Sequence, residues 1–390
     1  MTEQPQQALE DSLLHKLLVG TNRLQELPTA AFAALLAANA LIVGWLWLHL
    51  SPEAGLAAGL LHFSASLANW GLLWALPRAG RSYGPDKPSA LALTLVLALW
   101  FVVVGFFATS PAALLLAGLA AAALTLVVFY ATWIEPFRLG VTRQKLVVSG
   151  ADAPCLTLLH LGDLHLERES GRERRLNALI EQLEPDLIVF SGDFVNLSYT
   201  WNETAKADIR RVIGGWRAPL GVYCVPGTPV VEPLPRVVEF VQGLDHLTLL
   251  TNRWTTVETP CGALHIFGHV TTHDLPTDRR ALAEHLSSMP PDGVRLLLSH
   301  SPDVAPEAAA AGFDLYLCGH THGGQIRLPI IGALFSSSHL GNRFIMGRYS
   351  LGQMTLYTTR GIGMEGLGAP RARFLCPPEI VLWEIRSKAL

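Results

Sequence analysis

The sequence predicts an N-terminal region of four membrane-spanning helices followed by an α/β domain. Half of the 390 residues are hydrophobic and 16% are charged, whereas about 25% of the residues in an average soluble domain carry a charge. The deficit of charge is concentrated in the first third of the chain. From residue 155 onward, short apolar runs alternate with amphipathic stretches, as in α/β domains. We therefore divide the chain into an N-terminal segment (1–27), a membrane region (28–135), a linker (136–154) and an α/β domain (155–390).

The N-terminal segment is polar, with leucines that recur at helical spacing. These leucines are Leu9, Leu13, Leu14, Leu17 and Leu18. The pattern favours a cytoplasmic amphipathic helix lying on the membrane surface. A frayed polar tail is the alternative interpretation.

Four apolar runs predict the membrane spans. They cover 29–50, 54–76, 90–108 and 112–134. Each contains between 19 and 23 residues and no Lys, Arg, Asp or Glu, which is the length that a helix needs to cross the hydrocarbon core. The run at the N-terminus is one of four and is too long for a signal peptide.

Lysines and arginines predict the orientation of these spans. The connections 51–53 and 109–111 contain neither residue, whereas positive charges precede the first run, lie in the loop 77–88 and follow the fourth run. Cytoplasmic loops carry the excess of Lys and Arg. The pattern predicts a multi-pass protein of a bacterial inner (plasma) membrane, with its N-terminus and its C-terminal domain in the cytoplasm.

Net charge and cysteine usage exclude two other classes. The formal net charge of -3 gives no electrostatic reason to expect nucleic-acid binding. The five cysteines are odd in number, scattered and never in a C-x-x-C spacing; they are Cys155, Cys224, Cys261, Cys318 and Cys376. We expect reduced cysteines and a reducing compartment rather than a disulfide frame or a zinc cage. The sequence does not predict an oligomeric state.

The α/β domain shows alternating strand and helix patterns. The predicted strands are 156–161, 187–191, 221–225, 247–250, 263–267, 295–299, 315–318, 355–359 and 380–385. The predicted helices are 173–183, 202–214, 235–242, 278–287 and 304–311. Ligands of α/β sheets gather outside the carboxyl ends of the strands, so the residues that follow each strand are the candidates for chemistry.

Carboxylates and imidazoles follow four of the predicted strands. The six candidate metal ligands are Asp163, His165, Asp193, His300, His320 and His322. The pairs at 163/165 and 320/322 are spaced so that both side chains leave an extended segment on the same face. One aspartate could bridge two ions. A mixed Asp and His set suits manganese, iron or zinc better than Ca²⁺ or Mg²⁺, which prefer oxygen ligands.

The motifs that contain these residues resemble the signature of calcineurin-like metallophosphoesterases. They read Asp163-x-His165, Gly192-Asp193, Ser299-His300 and Gly319-His320-x-His322. The resemblance covers about 155–386 and implies a β-sandwich flanked by helices. The segments 319–329, 359–363 and 378–380 resemble a branch of bacterial membrane-associated phosphodiesterases, which is similar to hydrolases that split UDP-diacylglucosamine during lipid A assembly.

The resemblance implies roles for the six ligands. One metal ion would be held by Asp163, His165 and His322, the other by His300 and His320, with Asp193 bridging them. By the same resemblance, Asp163, Asp193 and His320 are the catalytic residues. Metal-activated water would hydrolyse a phosphodiester or a pyrophosphate.

The third strand departs from the family pattern. The family has Gly-Asn-His-Asp or Gly-Asn-His-Glu there, and this chain has Thr228 and Pro229 in place of the Asn and the His. A Thr hydroxyl is a poor metal ligand, and loss of a general acid could lower the rate by ~10²–10⁴. Three hypotheses remain: a weakened second metal site with a good leaving group, replacement by another residue such as Asn196 or Glu232, or a domain that only binds.

The expected substrate is a phosphorylated lipid or a nucleotide-activated lipid, which would place the protein in lipid metabolism. The segment 326–335 is mostly apolar and could accept acyl chains, and arginines near it can clamp a phosphate. We predict Arg327, Arg360 and Asn196 as substrate-binding residues. His269 and His273 could approach the site. The alternative hypothesis is a membrane sensor or scaffold that binds a phosphorylated ligand without hydrolysing it.

Overall fold

The computed structural model describes residues 13–147, 154–260, 262–368 and 370–386. These residues form two compact units. The helical unit comprises Leu13–Ile134 with Gly366–Ala372, and the α/β unit comprises Glu135–Glu365 with the chain from Arg373 onward.

In its described residues, the helical unit contains one short helix and four long ones. They are α1 (Leu13–Asn22), α2 (Thr29–Trp47), α3 (Pro52–Ala75), α4 (Lys87–Phe107) and α5 (Ala113–Phe129). Four helical segments are apolar and long enough to cross a membrane: α2, α3, α4, and α5 with the helical turns that continue it to Phe137. They confirm the four predicted apolar helices within a few residues at each end. Of the predicted N-terminal amphipathic segment, 1–12 lies outside the described residues.

Polar contacts join the start of α2 to the start of α4. The Lys87 ammonium donates to the backbone carbonyls of Gln25 and Leu27, at 2.9 and 2.5 Å. The side chains of Gln25 and Trp70 both donate to the Asp86 carboxylate, at 2.8 and 2.6 Å. The entrance to the first span and the loop between the second and third spans therefore lie at the same end of the helical unit.

The described part of the α/β unit contains two six-stranded sheets. The first has the order β1-β14-β2-β3-β4-β5. Its strands are β1 (Gly140–Val147), β2 (Leu156–Leu161), β3 (Leu187–Phe190), β4 (Val222–Cys224), β5 (Leu247–Leu249) and β14 (Glu379–Arg386). Strands β2, β3, β4 and β5 are parallel, whereas β14 runs antiparallel to β2.

The second sheet has the order β12-β13-β9-β8-β7-β6. Its strands are β6 (Arg253–Thr259), β7 (Gly262–His269), β8 (Val294–Ser299), β9 (Leu315–Cys318), β12 (Gly347–Leu351) and β13 (Met354–Thr358). The inner strands β7, β8, β9 and β13 are parallel. A two-stranded hairpin, β10 (Arg327–Leu328) and β11 (Gly332–Ala333), follows the last histidine motif.

The two sheets pack face to face through a shared apolar core. Leu158, Val189 and Trp383 of the first sheet belong to one buried cluster with Leu298 and Tyr357 of the second. Five helices cover the outer faces: α6 (Gly171–Leu183), α7 (Glu203–Gly214), α8 (Leu234–Val241), α9 (Leu275–Leu286) and α10 (Ala305–Ala311). The first three pack on one sheet and the last two on the other. The predicted β-sandwich flanked by helices is confirmed.

Two features of the α/β unit differ from the sequence analysis. The predicted linker 136–154 contains β1, which pairs in parallel with the last strand, from Gly140 opposite Glu379 onward. Cys224, Cys318 and Cys376 are free and buried, as expected. Cys155, however, is disulfide-bonded. The expectation that every cysteine is reduced is therefore wrong for Cys155.

Candidate metal centre

The six predicted ligands meet at one end of the sandwich. Asp163 and His165 follow β2, Asp193 follows β3, His300 follows β8, and His320 and His322 follow β9. Because the strands within each pair are parallel, their carboxyl ends lie together at the same edge. His320 is half-buried and the other five side chains are buried.

Asp193 lies between two groups of ligands. Its Oδ2 is 3.2 Å from Nε2 of His165 and 3.2 Å from Nε2 of His300. On one side, Nε2 of His322 is 3.0 Å from Nε2 of His165. On the other side, Nδ1 of His320 is 3.2 Å from Nε2 of His300. This geometry is the one expected if a single carboxylate is shared by two metal sites.

The donor atoms are spaced as ligands of common ions. Two nitrogens bound to one tetrahedral zinc at about 2.0–2.1 Å lie roughly 3.3–3.4 Å apart. The ring nitrogens here are 3.0 and 3.2 Å apart. Oδ2 of Asp163 is buried and has no hydrogen-bond partner among the described residues. A buried oxygen of this kind is costly unless something pairs with it, so the residues fit a divalent metal centre.

The charges of the six candidate ligands also favour binding of cations. Burial raises the pKa of Asp163 to about 6. Burial opposes protonation of His165 and His300, but the Asp193 carboxylate outweighs it and raises the pKa of each to about 9. Burial by itself would raise the pKa of Asp193, but the same two histidines outweigh it and hold that pKa well below its usual range. Bound metal ions would replace these protons as the partners of the carboxylates.

Five of the six ligands have a left-handed backbone. The φ angles are 48° for Asp163, 40° for His165, 61° for Asp193, 71° for His320 and 50° for His322. Such angles are uncommon outside glycine and cost on the order of 1–3 kcal/mol where the surroundings impose them. Strained residues of this type cluster at functional sites.

The comparisons with known proteins agree with this geometry. Residues 156–324 match the family model described as calcineurin-like phosphoesterase. The matched part of the α/β unit is therefore a calcineurin-like phosphoesterase domain. The family consists of metallophosphoesterases, which use divalent metals, and the two ligand groups are in the matched region.

Three relatives each cover about two thirds of this chain. The Phosphodiesterase YaeI of Escherichia coli is 29% identical over 66% of this chain and 92% of its own length. The Uncharacterized metallophosphoesterase YkuE of Bacillus subtilis is 29% identical over 66% of this chain and 89% of its own. The UDP-2,3-diacylglucosamine pyrophosphatase LpxG of Chlamydia trachomatis is 27% identical over 68% and 94%.

Glu232 fixes the backbone around the candidate metal centre. One carboxylate oxygen accepts the backbone N–H groups of Asp193 and Gly227, at 2.9 and 2.6 Å. The other accepts those of Phe194 and Val195, at 2.6 and 3.4 Å. Both oxygens are thus committed to the loops after β3 and β4. From the sequence, Glu232 is a candidate replacement for the missing Asn. In the structure, it instead makes these contacts with backbone N–H groups.

Main-chain donors orient the two aspartates. The His320 N–H donates to Oδ1 of Asp163 at 2.8 Å, and the Thr228 N–H donates to Oδ1 of Asp193 at 2.7 Å. A methyl group at Gly227 would overlap the Asp193 carboxylate. Position 227 therefore requires a glycine, because its backbone lies so close to the Asp193 carboxylate. The chain keeps this glycine of the family motif, although the two residues after it differ from the family.

Thr228, which stands where the family has Asn, lies next to a further histidine, His273. Thr228 is buried, and its Oγ1 lies 3.1 Å from Nε2 of His300 and 3.2 Å from Nε2 of His273. Pro229 is half-buried and has no polar side chain. The sequence marked His273 only as a lone histidine that could approach, since no motif surrounds it.

The three predicted substrate-binding residues each have intramolecular partners. Asn196 is fully buried; it accepts the Ser198 N–H at 2.9 Å and donates to the Met364 carbonyl at 3.0 Å. The Arg360 guanidinium pairs with the Glu379 carboxylate at 2.6 Å. The half-buried Arg327 donates to the carbonyl of Gly323, at 2.8 Å, directly after His322. Contact of these residues with substrate stays a prediction.

Proposed function

We propose that the protein is a membrane-anchored, metal-dependent phosphoesterase that hydrolyses a phosphodiester or a pyrophosphate in a lipid-linked or nucleotide-activated lipid. The observation that carries the proposal is the position of Asp193 between His165 and His300, at 3.2 Å from each. Membership of the metallophosphoesterase family gives the reaction class, which is hydrolysis.

Some residues of the site supply charge, and backbone groups orient the charged side chains. Two divalent ions, when bound, would activate a water molecule and stabilise the phosphoryl oxygens. Asp163 and Asp193 supply the negative charge that holds such ions, and the Asp163 side chain is fixed by the His320 N–H. His320 is the least buried of the six ligands, so it lies nearest to the solvent from which substrate enters.

The missing histidine of the family motif favours a particular leaving group. Pro229 cannot donate a proton to a departing oxygen. A phosphate monoester leaves from a pyrophosphate without needing one, because it is already a stable anion. An alkoxide needs a proton, and losing general acid catalysis costs ~10²–10⁴ in rate. We therefore favour a pyrophosphate link as the substrate bond.

An apolar hairpin beside the site supports a lipid substrate. Four large apolar residues of 330–335 are exposed; they are Ile330, Ile331, Leu334 and Phe335. The next residues adjoin the metal centre, since Nε2 of His320 lies 3.3 Å from the Ser337 carbonyl. Exposed apolar patches mark ligand, partner or membrane contacts. The four candidate spans and the lipid-like substrate in the name of the Chlamydia relative support the same substrate class.

The first experiment measures hydrolysis with full-length protein purified in detergent. With Mn²⁺, Zn²⁺ or Fe²⁺ added, the protein should hydrolyse bis-p-nitrophenyl phosphate, and EDTA should abolish the activity. His320→Ala should lower the rate by about 100-fold or more, because it removes a metal ligand. His246→Ala, a half-buried histidine that bonds the Ile213 carbonyl, is the matched control and should retain the activity.

Lipid extracts identify the substrate. Incubation with the metal-loaded protein, followed by mass spectrometry, should show loss of a phosphorylated lipid species that the His320→Ala protein leaves intact. A protein that binds metal yet hydrolyses neither the model diester nor any lipid would contradict the proposal. That outcome would favour a sensor or scaffold that binds a phosphorylated ligand.

A further inference from the structure

We infer that His273 is a ligand of the second metal ion and replaces the asparagine that the family has at the position of Thr228. The inference rests on the metal-dependent function proposed above. It concerns the composition of the second site, and the first site does not depend on it.

The nitrogen of His273 belongs to the second cluster. His273, His300 and His320 each offer one atom, and these atoms all lie within 4.8 Å of one another. The rings of His273 and His320 are 4.3 Å apart between centroids, and those of His273 and His300 are 6.2 Å apart. Oγ1 of Thr228 lies between the nitrogens of His273 and His300, at 3.2 and 3.1 Å. The imidazole therefore reaches the end of the side chain at position 228, where the family has its asparagine.

The backbone of His273 resembles that of the other ligands. Its φ angle is 62°, so it shares the left-handed conformation of five of the six predicted ligands. The side chain is 8% exposed. Conformational strain persists only where the surroundings fix it, and a buried imidazole aimed into a ligand cluster indicates a functional position rather than a solvated loop residue.

Several contacts hold the His273 loop in place. Asp278 accepts the backbone N–H and the hydroxyl of Thr272, at 2.8 and 2.5 Å. Asp274 caps α9 by accepting the Thr277 N–H at 3.0 Å. Nε2 of His339 lies 3.0 Å from the His273 carbonyl. The loop between β7 and α9 thus presents the imidazole in a fixed position, as an orienting shell does for a metal ligand.

The exchange changes which ions the second site prefers. An asparagine ligand offers one amide oxygen, whereas His273 would make a set of three imidazoles and the Asp193 carboxylate. Imidazole suits zinc, iron and copper, and oxygen ligands suit manganese and magnesium. The first site keeps the oxygen of Asp163 with two imidazoles. We therefore assign a zinc or iron preference to the second site, and a broader preference to the first.

Metal stoichiometry tests the assignment without relying on activity. Full-length protein is stripped with chelator, titrated with Zn²⁺ by calorimetry, and analysed for bound metal by mass spectrometry. The wild type should bind about two equivalents. His273→Ala should retain one tight equivalent and bind the second about 100-fold more weakly or worse, since even loss of an outer-shell partner costs about 10–100-fold.

Two further variants separate a ligand from a structural residue. Thr228→Asn in the His273→Ala background supplies the family's amide and should recover part of the second-site affinity. His273→Cys should show a thiolate-to-cobalt charge-transfer band as the second equivalent of Co²⁺ binds, a signal that a residue merely near the site would not give. Melting of each variant in EDTA shows whether the fold is retained, and His246→Ala is the control.

The outcomes distinguish this inference from the proposed function. A His273→Ala protein that binds both ions with wild-type affinity, or a His273→Cys protein with no cobalt–thiolate band, would overturn the assignment of His273 and leave the phosphoesterase function standing. A wild-type protein that binds no divalent metal would overturn the proposed function itself.

Discussion

Glu232 accepts the backbone N–H of Asp193 at 2.9 Å. The carboxylate is 1% exposed and also accepts the Gly227 N–H at 2.6 Å, so it connects the loop after β3 to the loop after β4. The first loop holds Asp193, and the second holds Thr228, whose hydroxyl oxygen lies 3.1 Å from Nε2 of His300. A buried acid outside the ligand groups thus fixes the backbone that holds the Asp193 carboxylate.

Glu232→Gln tests this scaffolding contact. The amide has one acceptor oxygen in place of two, and its NH₂ group would face backbone N–H donors. Each buried donor left without a partner costs about 1–3 kcal/mol, so we expect a loss of about 2–4 kcal/mol in the free energy of unfolding. Denaturant unfolding in EDTA measures it. Glu181→Gln on the exposed surface of α6 should leave stability unchanged, and equal stability of the two variants would contradict the role of Glu232.

Substitution of Arg360 should affect stability, whereas substitution of Arg327 should affect substrate binding. Arg360 pairs with Glu379, which is 1% exposed, and removing one partner of a buried ion pair costs about 3–5 kcal/mol. Because the Arg360 side chain is 24% exposed, solvent screening lowers our expectation for Arg360→Ala to about 2 kcal/mol of stability. Arg327→Ala should leave unfolding nearly unchanged and raise KM for phosphodiesters. The reverse pattern would assign substrate binding to Arg360.

The sequence indicated the six candidate ligands because their signals are local. Asp163 and His165, like His320 and His322, are close in sequence and follow apolar runs, so the strand pattern already placed them at one edge. His273 gave no such signal, since it is a single histidine brought to the site by the packing of a loop. Glu232 was visible only as a nearby acid, and its four backbone donors depend on the turns after two strands.

The first strand of the α/β unit was missed for a related reason. Strand β1, Gly140–Val147, has one buried side chain, that of Leu146, and its other residues are exposed or half-buried. The segment is therefore hard to distinguish from a polar linker in the sequence. Its partner strand, β14, begins at Glu379, more than two hundred residues later along the chain. Strand pairing over such a separation depends on the assembled sheet and leaves no pattern in either segment alone.

The apolar hairpin gives a substrate-specific prediction. Ile330 is fully exposed and Ile331 is 70% exposed, so Ile330→Ser with Ile331→Ser should leave the fold intact. Burying one such side chain in lipid is worth about 1.5–3 kcal/mol. We therefore expect about a 10-fold or larger loss of activity on CDP-diacylglycerol in phospholipid vesicles, and unchanged activity on bis-p-nitrophenyl phosphate. Val238→Ser, at an exposed apolar residue of α8, is the control, and equal losses on both substrates would contradict a lipid-contacting hairpin.

His160 predicts acid sensitivity of the α/β unit. Its ring is fully buried on β2, with Nε2 3.1 Å from Oγ of Ser191, and burial lowers its pKa to about 3. The unfolded chain has a His pKa of about 6.5. Between these values the unfolded state binds a proton that the folded state does not, so stability is complete above about pH 6.5 and falls as the pH is lowered towards 3.

The matched experiment compares wild type with His160→Gln between pH 7 and pH 5, in EDTA. The variant removes the titrating ring, so its Tm should fall less with acid than that of the wild type. His285→Gln, at a half-buried histidine of α9, should retain the full acid dependence. Identical slopes for wild type and His160→Gln would show that His160 does not contribute to acid sensitivity.

The orientation in the membrane stays a prediction. The positive charges and the disulfide of Cys155 indicate different compartments for the α/β unit. Positive charges in 77–88 and after the fourth span favour a cytoplasmic α/β unit. The contacts of Lys87 with Gln25 and Leu27 place the loop 77–88 and the approach to the first span at the same end of the helical unit. The disulfide of Cys155 is more typical of an oxidising compartment. We give greater weight to the charges, because they form a consistent pattern in every connection.

Labelling of cysteines introduced one at a time tests the orientation in the membrane. Ser110→Cys lies in the uncharged connection between the third and fourth spans, and Ala79→Cys lies in the charged loop; both positions are exposed. In intact cells, a membrane-impermeant maleimide should label the first variant and not the second, and a C-terminal green fluorescent protein fusion should fluoresce. After permeabilisation both variants should react. Labelling of Ala79→Cys alone in intact cells would place the metal centre outside the cytoplasm, where the Cys155 disulfide would be stable and a cytoplasmic nucleotide-activated lipid would be out of reach.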